Sequence, residues 1–549
     1  MAQLKAAEAA IQSLIAQGVD TVFGIISTHM MDVYDSLYDH QDDIRFISTR
    51  HEHAAALMAD GYARATGKPG VCFTSTGPGA ANSVGGIGEA YFSSSPVLTL
   101  TSTAEEELYG RGLGATHEIK NQLGMFEAVT GWAHHVTTPD EIPDRIYDAF
   151  RRFQTMRPRP VAIEMPVDIQ SQIADVEVPG PPDAAPPPPD PAQVEQAVAK
   201  LLSAKRLAIW AGTGVNRSGA NAELRQLAET LGVPVVTSTD GKGAIPEDHP
   251  LSAGVFGGGS GYGEKPTDDP LWNMVESADT LLVVGSSLSH SRTRRRGLEL
   301  GPNVIHIDID PEMPGKNYEA AATVVGDARV VLQQINSAIA GKQLGLEPGF
   351  DEEARALKGK ARDYLLSRWP NQMAAMEAIR GVTARDAVFM GDVAKAVHSA
   401  AAYCLPVYGP GTFSTAHWSG LGFAFPAAAG AKAGLPDRQV ICLTGDGGFQ
   451  FNMQELGTCI QYGLSPVVMV FNDDAWGVLR GVQRDRYDGR FFASDLVNPD
   501  FVKLAESYGA NGTRVESLAG LAPALEDALR SDTLTLIDIK TPDGIENFS

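Results

Sequence analysis

The chain has 549 residues, 43% hydrophobic and 20% charged, a composition that folds throughout and, at this length, divides into several domains rather than one. Its 67 acidic against 44 basic residues leave a net charge of −23, which would repel a phosphate backbone and argues against a nucleic-acid partner. Cys72, Cys404, Cys442 and Cys459 are widely spaced and fit neither a zinc pattern nor a disulfide framework, so a reducing, cytoplasmic setting is expected.

The first twenty residues alternate charge and apolar positions as an amphipathic helix does, with no apolar stretch suited to a signal peptide or membrane span. Up to about residue 170, helical patterns mix with short β-branched runs such as Pro69-Gly70-Val71-Cys72-Phe73-Thr74 and Pro96-Val97-Leu98-Thr99-Leu100. From Val178 to Pro191 proline is too frequent for a helix or central strand, so an interdomain linker is expected. Buried strands are predicted next at Leu207-Ala208-Ile209-Trp210-Ala211, Val233-Pro234-Val235-Val236-Thr237, Thr280-Leu281-Leu282-Val283-Val284 and Val304-Ile305-His306-Ile307-Asp308. The short basic cluster of Arg292, Arg294, Arg295 and Arg296 is read as a solvated loop or helix start. A charged helix from 349 to about 371 connects to a last third whose clearest strands are Val440-Ile441-Cys442-Leu443-Thr444 and Val467-Val468-Met469-Val470-Phe471. Together these predict an α/β protein of three doubly wound parallel-sheet domains, at 1–172, 193–345 and 376–549, joined by a proline-rich linker at 173–192 and a connecting segment at 346–375.

The strand ending at Thr444 runs into Gly445-Asp446-Gly447-Gly448, and the strand ending at Phe471 into Asn472-Asp473-Asp474-Ala475-Trp476-Gly477. Parallel strands present their C-terminal ends at one edge, where Asp446 and Asp473 can meet. Paired carboxylate oxygens suit Mg²⁺, which keeps coordination positions for water and phosphate oxygens. Gly447 and Gly448 let a phosphate approach the backbone at the start of the following helix. Gly-Asp-Gly alone would read as a tight turn; the second strand end favours a diphosphate site.

Gly445-Asp446-Gly447 with Asn472-Asp473, the second acid 27 positions beyond the first, resembles the signature of thiamine diphosphate (ThDP) enzymes. Asp473 stands where many members carry asparagine. The resemblance implies Asp446, the Asp473 side chain and the Ala475 carbonyl as Mg²⁺ ligands, with Gly447, Gly448, Trp476 and Gly477 beside the cofactor. Arg50-His51-Glu52-His53-Ala54-Ala55 is similar to the family's glutamate segment, so Glu52 is implied as the acid that hydrogen-bonds the aminopyrimidine ring and promotes deprotonation of the thiazolium carbon. Gly77-Pro78-Gly79-Ala80-Ala81-Asn82 follows in the family's order, with Gly77 at the cofactor. Ser419-Gly420-Leu421-Gly422-Phe423-Ala424 is similar to benzoylformate decarboxylase; there Leu421 would hold the cofactor bent and the Ser419 carbonyl would accept from its amino group. The first domain is thereby expected to bind the pyrimidine and the third the diphosphate. The family builds each site from two subunits, which implies a homodimer or homotetramer.

Three histidines are candidates for moving a proton to a substrate oxygen. His29 falls where benzaldehyde lyase has a pocket histidine, His117 where acetolactate synthase and benzaldehyde lyase have glutamine, and His417 just before the Leu421 segment. Each is equally compatible with simple packing. His51 and His53 are expected on other faces of the helix. The middle third resembles acetolactate synthase at Gly241-Lys242-Gly243-Ala244-Ile245-Pro246 and Ile307-Asp308-Ile309-Asp310-Pro311, a family that binds FAD there. Here Ser286-Ser287-Leu288-Ser289-His290-Ser291-Arg292 replaces the family's Arg-Phe-Asp-Asp-Arg segment, which makes FAD doubtful, and Gly212-Thr213-Gly214 and Gly257-Gly258-Gly259 read as turns. Val482 takes the place of the family's substrate-selecting tryptophan. The expected substrates are small 2-oxo acids, aldehydes or 2-hydroxy ketones, in a decarboxylase or carboligase reaction, with a non-decarboxylating lyase and a non-catalytic binding protein as alternatives.

Overall fold

The computed structural model describes residues 2–257, 268–293, 296–542 and 544–548. Each third of the chain forms a six-stranded, wholly parallel sheet covered by helices. In spatial order, the first holds strands Arg45–Ser48, Thr21–Gly24, Gly70–Thr74, Val97–Thr103, Val161–Pro166 and Trp132–His135. The second runs Ser252–Val255, Val235–Thr237, Leu207–Ala211, Thr280–Val284, Asn303–Asp308 and Ala322–Val325. The third runs Phe413–Thr415, Val388–Gly391, Val440–Gly445, Val467–Asn472, Thr535–Lys540 and Asn511–Val515. In all three the strand order doubles back on the sequence order, which opens a crevice at the C-terminal strand ends.

Every apolar run predicted as a strand lies in one of these sheets, because strands covered by helices on both faces bury every side chain. The N-terminus differs from expectation. Ala2–Lys5 is a strand, paired antiparallel with Ile173–Val176, and the helix starts only at Ala6. The connecting segment is two helices, Phe350–Arg368 and Pro370–Val382, since Pro370 cannot continue the first. No helix among the described residues is long and apolar enough to cross a membrane.

The first and third sheets pack through helices Glu52–Thr66 and Ala424–Gly434 at backbone contact. A methyl at Gly61 would stand 2.1 Å from the Ala427 carbonyl, and one at Gly430 1.9 Å from that of Met58, so both positions require glycine. Beside this contact Arg64 is buried over the Phe423 ring, pairs with Asp60 and with Glu89 at 3.0 Å, and donates to the Thr415 carbonyl. The charges satisfy one another, as burial demands.

His306, in the middle sheet, is 1% exposed and donates from Nε2 to the Ser286 carbonyl at 2.8 Å. Burial holds it down at about 4. The unfolded chain, with an ordinary value of about 6.5, therefore binds this proton more readily, and the stability His306 contributes is whole above 6.5 and lost as pH falls towards 4. The loss at pH 4 is about 3 kcal/mol. Urea unfolding of His306→Gln should accordingly show a shallower decline between pH 7 and pH 5 than the wild type does; equal slopes would place the sensitivity elsewhere.

Candidate active site

Asp446 begins the helix Asp446–Gln450 directly after its strand, and Asp473 follows the neighbouring strand Val467–Asn472, so the two carboxylates share one sheet edge. Burial raises both: Asp446 rises from its ordinary value, and Asp473 is pushed up to about 7 by burial and by the charge of Asp446. The Lys395 ammonium opposes the rise of Asp473 and is itself paired to Glu546 at 2.6 Å. Asn498 donates to Asp446 at 2.6 Å and to Asp474 at 2.9 Å, and the Ala475 amide also donates to Asp446. Among the described residues no cluster of three or more histidine, cysteine or acidic side chains is placed to hold an ion. Two carboxylates supplemented by backbone and phosphate oxygens fit Mg²⁺ better than an ion needing an all-side-chain cage.

Glycines around this edge are fixed by contact. A methyl on Gly447 would meet the Trp476 ring at 2.4 Å, and one on Gly477 would lie 1.9 Å from Asp473 Oδ2. Gly448 backs onto Asp392, a buried carboxylate that accepts from the Val393, Gly422 and Ala424 amides and from the Thr444 hydroxyl. Asp392 thus ties the Asp446 turn to the Leu421 segment. Leu421 is half-buried rather than part of the core, and Ser419 is exposed with φ of +62°, a left-handed turn that sets the chain's direction there.

Glu52 opens its helix half-exposed, where the helix dipole favours an anion, and its Oε2 accepts from Asn82 at 3.0 Å. A methyl on Gly79 would stand 3.3 Å from Oε1. His51 precedes the helix and caps it, its Nδ1 accepting from the His53 amide at 3.1 Å, so it lies on no helix face; His53 turns to Asn452. Gly77 (φ +62°) is pressed against the His117 carbonyl, 2.0 Å from where a methyl would be, and its amide donates to Gln122.

The structure brings His29 and His117 together, ring centres 4.7 Å apart. His117 has φ of +65°, held by Glu118, whose carboxylate accepts from the Gly112, Gly114 and Ala115 amides. Burial, then the neighbouring His117, lower His29 from its ordinary value, which favours the neutral ring. His417 stands apart from the His29–His117 pair in its partners. Its Nε2 is paired with Asp240 in the middle domain, and its backbone amide donates to Glu89. Arg292 also differs from the solvated loop expected, bridging to Asp240 at 3.4 Å and to Thr239; Arg294 and Arg295 lie outside the described residues.

Family comparison agrees with this geometry in order and extent. Residues 4–125 match the thiamine pyrophosphate enzyme N-terminal TPP binding domain, 194–335 the central domain and 392–539 the C-terminal TPP binding domain. A probable acetolactate synthase large subunit of Methanocaldococcus jannaschii is 36% identical over 98% of this chain and 92% of its own. The chain belongs to the thiamine pyrophosphate enzymes, in the acetolactate synthase family. Within this family it is also 33% identical to acetolactate synthase isozyme 3 large subunit of Escherichia coli, over 100% of this chain and 96% of that one. A probable 2-ketoarginine decarboxylase of Pseudomonas aeruginosa is equally 33% identical, over 98% and 94%.

The fold also brings Asp392, Lys395 and Asn498, which sequence reading did not single out, to the edge that carries Asp446 and Asp473. Only contacts between distant segments single them out. In the central domain, methyls on Gly212 and Gly214 would lie 2.2 and 2.6 Å from the Gly285 backbone. Loop-against-loop packing therefore accounts for these glycines as turns. Gly258 and Gly259 fall outside the described residues.

Proposed function

We propose that this thiamine pyrophosphate enzyme decarboxylates a small 2-oxo acid and then either releases the aldehyde or joins it to a second carbonyl compound, as an acetolactate synthase does. The observation that carries the reading is the pairing of an Asn82-held Glu52 with the Asp446–Asp473 strand-end pair in a chain of this family. ThDP, when bound, supplies the nucleophilic carbon and the electron sink. Glu52 holds a proton at the cofactor's ring nitrogen, and Asn82 orients its carboxyl. Asp446, Asp473 and the Ala475 carbonyl hold Mg²⁺; the Gly447 and Gly448 backbone, with Trp476 and Gly477 behind it, receives the diphosphate. Leu421 supports the bent cofactor, with the Ser419 carbonyl at its amino group. His29 and His117 carry a proton to and from the substrate oxygen.

Glu52 and Asp446 come from domains that meet across two subunits in this reading, so the working unit is a homodimer or homotetramer. Exposed aromatic rings support a second copy at this face: Trp418, 43% exposed, stacks on Phe92 next to Ser419, and Phe451 is half-exposed beside Trp476. The functional domains are assigned to 1–172, 193–345 and 376–549.

Incubation with ThDP, Mg²⁺ and a panel of 2-oxo acids and 2-hydroxy ketones, with CO₂ and products followed together, tests the reading. CO₂ release is expected, with a hydroxy ketone product marking carboligation and an aldehyde marking release. Cleavage of a hydroxy ketone without CO₂ would replace it with a lyase.

A further inference from the structure

The helix Glu455–Tyr462 follows the Asp446 turn in the third domain and lies against the segment of the first domain that leads into Glu52. Arg45 donates to the Tyr462 carbonyl at 2.6 Å, Arg50 to the Gln461 side chain at 2.6 Å, and Thr458 to the Ser48 carbonyl at 3.5 Å. At the centre is Glu455, fully buried. Its carboxylate accepts from the Arg50 amide at 3.1 and 3.2 Å and from the Thr458 hydroxyl at 2.6 Å, and the His51 amide donates to it as well. The two backbone N–H groups immediately before Glu52 thus end on one carboxylate.

Capping does not account for this expense in desolvation, and the docking of the two domains has other supports. The helix that begins at Glu52 is capped by the His51 ring, and the domains are held by the Gly61–Ala427 contact and the Arg64 network. A buried carboxylate is costly to keep, and burial pushes Glu455 up to about 7. What its position fixes is the extended backbone of residues 50 and 51, where His51 has φ of −153° and ψ of 141°.

We infer that Glu455 is a positioning residue for Glu52, setting through two amides where the Glu52 carboxyl stands against the cofactor ring. The inference rests on the reading of Glu52 given above. It makes the Asp446 turn and Glu52 of one chain parts of a single rigid unit, so that in a dimer the same helix touches two active sites.

The test uses the full-length protein and two readouts: amide hydrogen exchange at Arg50 and His51 without cofactor, and exchange of the thiazolium C2 proton of bound ThDP for deuterium, read by NMR after acid quench. Glu455→Gln places an amide group against the two N–H donors. Faster exchange at both amides is expected, with C2 exchange slowed about 10–100-fold and ThDP affinity near that of the wild type. Combined with Glu52→Gln it should slow C2 exchange no further than Glu52→Gln alone, because it acts through Glu52. Should Glu455→Gln fail to fold, Glu455→Asp keeps the charge but draws the carboxylate back by about 1.5 Å, and the same direction of change is expected. Wild-type C2 exchange in either folded variant, or additive slowing in the double variant, would overturn the inference. Wild-type exchange in Glu52→Gln alone would instead sink the reading of Glu52, and this role with it.

Discussion

Glu52→Gln is expected to lower turnover by about 10²–10⁴-fold, the range general acid–base groups contribute, while ThDP stays bound. Glutamine keeps the size of the side chain and an oxygen for the Asn82 amide, now 3.0 Å from Oε2, but its amide has no acidic proton to give up to the ring nitrogen. The loss should therefore fall on kcat, with cofactor affinity measured by calorimetry close to that of the wild type. Equal turnover in the two proteins would remove Glu52 from the chemistry and leave it as a helix-start anion.

Asp446→Ala should act on the other half of the site in the opposite manner. It removes one of the two acidic side chains at the strand ends and an acceptor of the Asn498 and Ala475 amides, though Asn498 keeps Asp474 as a partner. Groups that merely orient a metal ligand cost 10–100-fold in affinity when lost, so loss of a ligand is expected to weaken Mg²⁺-supported ThDP binding by at least about 100-fold. Titrating ThDP against intrinsic fluorescence, with and without Mg²⁺, checks this. Unchanged Mg²⁺ dependence would show that the ion sits elsewhere.

The contrast between these residues and those found only in the structure explains what was legible in the sequence. Leu207–Ala211 and Thr280–Val284 declare themselves because all five residues of each are buried, which writes an uninterrupted apolar run. Trp132–His135 is four half-buried residues on a sheet edge, and Phe413–Thr415 only three, too short for a period to appear. Asp446 and Asp473 were legible for a geometric reason: in parallel sheets, strand ends meet. Asn498 sits in a loop 52 positions from its partner Asp446, and Glu455 finds the Arg50 amide 405 positions away, so no local pattern marks either. For His417, nearness in sequence to Leu421 did not foretell its partner. Between them Ser419 takes a left-handed conformation, and the His417 ring lies with Asp240 of the middle domain.

If Glu52 and Asp446 act on one cofactor held between two chains, as proposed, mixing the two inactive variants rebuilds a working site. Co-expressed Glu52→Gln and Asp446→Ala chains should form mixed dimers in which one site takes Glu52 and Asp446 both intact, while the other takes both substitutions. With random pairing in a two-fold dimer, roughly a quarter of wild-type activity is expected to return. No recovery, from mixed dimers isolated by two different affinity tags, would contradict a site shared between chains.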